Sequence, residues 1–179
     1  MDIKLFFSFS IYLYCIKQLI PFKMKTKMKK DWLGREKSTD ELHHDYKLWV
    51  SEINFIKDEI RFLEHLLSEN YIDFLAAGLH KKIEASVKQI SVEKNIGTTL
   101  QELINKQEKT LAELIKTQNV SSNKNYLESH KKIEIEVNNY LEKYKDLKQQ
   151  IFKVVEDVMK KKEQKKLAGT DKIPKLIDK

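Results

Sequence analysis

Four side chains in this 179-residue chain have the type and spacing to hold a metal ion: Glu52, Glu59, His80 and His130. Asp45, Glu52 and Glu59 form a row at seven-residue steps, with Phe55 and Phe62 on one side and an apolar seam on the other. A carboxylate buried in such surroundings needs a partner, which can be Lys, Arg, His or a metal. His130 stands three residues before Ile133 and seven before Val137, so it occupies a seam position itself. His80 lines up with Ala76, Ile83 and Val87 at the edge of an apolar face. Each histidine precedes a glutamate by four, in His80-Lys81-Lys82-Ile83-Glu84 and in His130-Lys131-Lys132-Ile133-Glu134.

Imidazole and carboxylate donors together suit a transition metal held between helices. Carboxylate-bridged di-iron bundles use a pair of inward Glu-x-x-His steps, and hemerythrin-like sites use a ring of inward histidines. This chain carries neither set. The plainer expectation makes His80 and His130 core histidines bonded to Glu59 or to backbone, with the Glu52, Glu59, His80, His130 metal site as its alternative. His43 and His44 are adjacent and diverge by about 100° on a helix, which does not make a chelate. Trp49, Phe55, Phe62, Tyr140 and Tyr144 read as core aromatics rather than a cofactor box. The chain has no Gly-rich phosphate loop, Ser-His-Asp arrangement or nucleophile elbow. The single cysteine, Cys15, excludes a disulfide framework and a cysteine metal site in the body. No catalytic residue and no cofactor are assigned, and enzymatic activity is not expected.

The elements that position these residues are helices. Leu42, Tyr46, Trp49, Ile53, Ile56, Ile60, Leu63, Leu67 and Phe74 follow steps of three and four, broken only at Asn70. The rhythm returns in Ile133, Val137, Tyr140, Tyr144, Leu147, Ile151, Val154 and Val158. Such steps mark amphipathic helices with one buried seam. Ser38 with Glu41 three residues on predicts a capping box that opens the first helix, which runs to about residue 70. A second helix is expected over about 72–95, with Ile72, Ala76, Leu79, Ile83, Val87 and Ile90 inward. Gly97 is expected to cap it in the left-handed conformation. A third follows over about 99–118, with Leu100, Ile104, Leu111, Leu114 and Ile115 inward, and a polar turn over 119–125 leads to a fourth over about 126–162. The expected fold is all-α, an antiparallel up-down four-helix bundle with long first and last helices. A coiled-coil hairpin that completes its core by dimerising is the alternative.

Gly and Pro are scarce, at four and two residues, and 34% of residues are charged, which favours helices over sheet. The net charge of +7 is unevenly spread. Residues 40–158 carry 17 Lys and Arg against 21 Asp and Glu, while the segments before and after carry +6 and +5. Only Arg35 and Arg61 accompany 32 lysines, and nucleic-acid readers lean on arginine, so no nucleic-acid binding is expected. Residues 1–37 form an apolar and then basic segment, expected to be disordered or not translated, with a start at Met24 or Met28. Its apolar stretch is short for a membrane span, and membrane association is expected only if residues 1–22 are retained. Residues 163–179 read as a basic disordered tail. The expected location is the cytoplasm, and the expected role is non-catalytic, through a protein partner or a homo-oligomer.

At His44, Trp49, Glu52, Ile53 and Phe55 the chain reads His-x4-Trp-x2-Glu-Ile-x-Phe. This resembles a group of small uncharacterised helical-bundle proteins of flavobacteria and their relatives, over about residues 40–160. The resemblance implies the same first-helix pattern, an inward histidine in the second helix at His80 and another opening the last at His130. Lys81 and Lys82 depart from the aromatic and amide residues that the group has after its second-helix histidine. The resemblance implies a bacterial helical bundle and leaves its activity open.

Overall fold

The computed structural model describes residues 37–120 and 123–170, so the expectations for residues 1–36 and 171–179 lie outside the described residues. The chain is all-helical there, with no strand among the described residues. Four helices pack against one another: α1, Thr39–Glu69; α2, Tyr71–Ala76; α3, His80–Lys116; and α4, Lys124–Thr170. Ser38 caps α1 as its sequence predicts. Its hydroxyl accepts from the Glu41 amide at 3.3 Å while its own amide donates to Glu41 Oε2 at 2.8 Å.

The lengths are divided differently from the expectation. The expected second helix breaks early and the expected third joins its remainder, giving one 37-residue α3 that runs through Gly97 without a cap. The reversal occurs at Ala77-Gly78-Leu79 instead. Gly78 has φ 73°, Gly78 N–H donates to Leu75 O at 2.9 Å, and Leu79 N–H donates to Phe74 O at 3.0 Å. That pair of bonds is a Schellman ending, which requires a left-handed residue and so favours glycine. The same pair closes α3, with Gln118 at φ 56° in the left-handed position, Gln118 N–H on Ile115 O and Asn119 N–H on Leu114 O.

Every apolar residue of the stripe from Leu42 to Phe74 is buried, and so are Ile83, Ile90, Leu100, Ile104 and Leu111 of α3. Corrections come at the margins. Ile72, Ala76, Val87 and Ile115 are exposed rather than inward, and Leu79 and Leu114 are only half-buried. On α4 the seam passes through Val155 rather than Val154, because after Ile151 the pattern takes a step of four before a step of three. Steps of three and four are both within reach of a 3.6-residue turn, so the seam drifts and Val154 is left on the flank toward α3.

Cross-helix pairs set the register. Lys57 and Asn54 of α1 meet Gln101 of α3, while Glu64, further along α1, meets Lys94, earlier on α3. Residue numbers on α1 and α4 instead rise together: Asp45 with His130, Glu59 with Lys148, Asp73 of α2 with Lys162. This follows from the continuity of α3. One long return helix carries the chain back to the level of residue 40, so α4 starts beside the start of α1. An additional reversal at Gly97 would have placed the start of α4 beside the end of α1.

Candidate functional site

Register decides which polar groups meet. His130, one turn after the buried Tyr126 on α4, lies at the level of Asp45, not of Glu59. Its Nε2 lies 3.4 Å from Asp45 Oδ2 and its side chain is only 2% exposed. At that separation the two groups touch, and His130 Nε2 has no well-aligned hydrogen-bond partner. The imidazole is boxed by aromatic rings of α1, with Trp49 at 4.9 Å and Tyr46 at 5.2 Å between centroids. Lys37, just before the helix cap, donates to Asp45 at 2.8 Å and reaches Glu134 of α4 at 3.3 Å. Tyr46 and Tyr126 complete the cluster through a buried hydroxyl pair 2.7 Å apart.

The electrostatics of the cluster follow from burial and charge together. Burial pushes the Asp45 carboxyl up, but contacts with His130 and Lys37 outweigh it and hold Asp45 below its ordinary value. Burial lowers Lys37, yet its two carboxylate partners leave it raised. The Tyr46 hydroxyl is raised by burial first and then by its bond to Tyr126, so both protons stay in place at neutral pH. A histidine beside a carboxylate has the composition of a general-base dyad. A ring that is 2% exposed inside an aromatic box does not meet a dissolved substrate, so the dyad fastens α4 to α1.

The metal-ligand candidates are thereby dispersed. Glu59 holds Lys148 of α4 through both carboxylate oxygens at 2.9 Å, and Lys148 Nζ also lies 5.6 Å from the Tyr144 ring centre. His80, expected at the edge of an apolar face, is 50% exposed at the start of α3 and pairs with Glu84 at 3.2 Å, one turn along. The partner expected for it and for His130, Glu59, is committed elsewhere. Glu52 is half-buried, and desolvation raises its carboxyl. Among the described residues no group of three or more His, Cys, Asp or Glu side chains is placed to hold a metal ion.

A third polar feature escaped the reading of the sequence. Glu93 of α3 is buried to 1% exposure, with Gln89 donating to Oε1 at 2.8 Å and no hydrogen-bond partner on Oε2. The Tyr140 hydroxyl, close to it, is likewise buried without a partner. Burial and then the Glu93 charge raise Tyr140, which keeps its proton. The signal was present: Ile90, Glu93, Gly97, Leu100, Ile104, Gln107 and Leu111 alternate steps of three and four once the helix is read through Gly97. A helix end at Gly97 would divide that pattern in two.

Compared with known proteins, the chain matches no family model, no curated protein and no solved structure. Among the described residues no helix is long and apolar enough to cross a membrane.

Proposed function

We propose that this chain is a non-catalytic helical protein that acts through protein–protein contacts, in the first place with copies of itself. The observation that supports this reading most directly is the outer face of α2. Phe74 fills the core from this short helix, while Tyr71, Ile72 and Leu75 stay exposed, Ile72 at 73%. Positions i, i+1 and i+4 fall within about a 100° arc, so the three side chains share one face. An apolar face of this kind at the reversal between two long helices suits an end-on contact between copies. The polar clusters favour a scaffold too, since His130, Asp45, Lys148 and Glu59 are used in joining α1 to α4.

The likeness of residues 44–55 to the flavobacterial bundle proteins fits this reading, as does a cytoplasmic setting for a described body without cysteine. The finer architecture we propose is a coiled-coil hairpin of long helices running up, down and up, capped by α2, which joins its copies through that cap. Sedimentation velocity of the full chain tests the reading. Association that grows with concentration up to about 100 μM, and that Ile72→Glu with Leu75→Glu abolishes while helicity is kept, is the expected result. A monomer throughout that range overturns it.

A further inference from the structure

Between α3 and α4 lies an open groove of about 760 Å³, within the size range of small-ligand sites. Val92 and Ile96 on one helix, with Leu147 and Val154 on the other, form its apolar walls. Val154 stands there because the α4 seam passes to Val155. Glu93 lines the groove from beneath, one carboxylate oxygen held by Gln89 and the other unpartnered. Gln89 is itself exposed and lines the same groove. Lys82, Lys143 and Lys153 against Asp146 and Asp157 leave the other charged side chains of the lining at a formal +1, and Glu93 is the buried one among them.

We propose that this groove binds a small organic cation, a primary alkylammonium whose N–H groups pair with Glu93 and whose hydrocarbon chain lies along the apolar walls. A buried carboxylate accepts hydrogen bonds and donates none when ionised, so its free oxygen calls for a donor, best a charged one. The apolar walls favour a hydrocarbon tail and disfavour a heavily hydrated inorganic cation, which would have to shed its water against Val and Leu side chains. The site concerns a free small molecule and is independent of the α2 face.

Calorimetric titration of the full chain with n-pentylamine, sodium pentanoate and pentyltrimethylammonium tests the proposal. The primary amine should saturate one site, pentanoate should give no saturable heat, and the quaternary cation, lacking N–H donors, should bind at least about tenfold more weakly. Glu93→Gln, nearly identical in shape, should weaken the amine by about tenfold or more, with helicity unchanged by circular dichroism. Absence of saturable binding by the amine at about 10 mM, or equal affinity for the primary and quaternary cations, overturns the proposal. Undiminished binding to a folded Glu93→Gln chain does so as well. If that variant does not fold, the three-compound series on the native chain decides.

Discussion

Tyr140 of α4 rests its hydroxyl on the backbone of Gly97 in α3, so closely that a β-carbon at residue 97 would stand 2.5 Å from the oxygen and 3.1 Å from Cζ. Glycine is needed at this point for the approach of two helices, not for a turn. The contact lies beside Glu93 and fixes how near α3 comes to α4 at the groove.

Gly97→Ala therefore sets two effects against each other. Alanine favours a helix interior by about 1 kcal/mol over glycine, while forcing a methyl against a ring held on another helix costs about 1–3 kcal/mol. The ring is tethered to a packed helix and Cζ is itself too close, so the clash should win and the melting temperature should fall. Tyr140→Phe alone should be near neutral, because the hydroxyl it removes has no partner. In the Gly97→Ala background the same change should restore part of the loss, with a coupling of about 1 kcal/mol in a double-mutant cycle. A stabilised Gly97→Ala protein would show that the helices part freely here.

Legibility in the sequence follows from this same residue. The stripe from Leu42 to Phe74 was readable because each apolar residue repeats a step of three or four. The cap at Ser38 was readable because its hydrogen bonds are local. The role of Gly97 is not legible locally, because glycine serves both a left-handed turn and a close approach, and only the neighbouring helix distinguishes them. A helix end at Gly97 would reverse the direction of α4 and set His130 beside Glu59 instead of Asp45. Glu93 would be lost in the same step, since its seam position shows only in a pattern that spans the glycine. Local chemistry was legible; the partner of each polar group depended on one helix boundary.

Glu59 and Lys148 are both mostly shielded from solvent and joined through two contacts of 2.9 Å. Removing one member leaves the other charge half-buried without its partner, which is costlier than losing a surface pair. Lys148→Met should destabilise by about 1–2 kcal/mol, and Glu59→Gln with Lys148→Met together should recover part of that loss. Denaturant unfolding of the three variants measures the coupling, and additivity of the two single changes would remove the pair from the account.

Asp45 gives the folded state a dependence on acid. Its carboxyl is held below its ordinary value because His130 and Lys37 outweigh its burial. A depressed native value means that the stabilisation is complete above the unfolded pKa of about 4 and is lost as pH falls through the native one. Asp45→Asn should lower stability at pH 7 by about 1–2 kcal/mol and flatten the loss of stability on acidification. His130→Leu should change stability at pH 7 by less than about 1 kcal/mol, since Lys37 still serves Asp45 and an apolar residue suits the aromatic box. Unfolding curves between about pH 2 and 7 separate these outcomes, and an acid profile unchanged in Asp45→Asn would place the acid sensitivity elsewhere.

Gln118 closes α3 with a left-handed backbone, φ 56°, that side-chain-bearing residues adopt only at a cost of about 1–2 kcal/mol. Gly78 ends α2 in the same geometry without that penalty, and a β-carbon there would meet nothing within 4 Å. The two positions thus isolate the backbone effect from packing. Gln118→Gly should stabilise by about 1 kcal/mol, less the added freedom of glycine in the unfolded chain. Gly78→Ala should destabilise by a similar amount even though the methyl has room. Equal and opposite shifts in melting temperature are expected, and a loss of stability in Gln118→Gly would show that the glutamine side chain itself holds the end of α3.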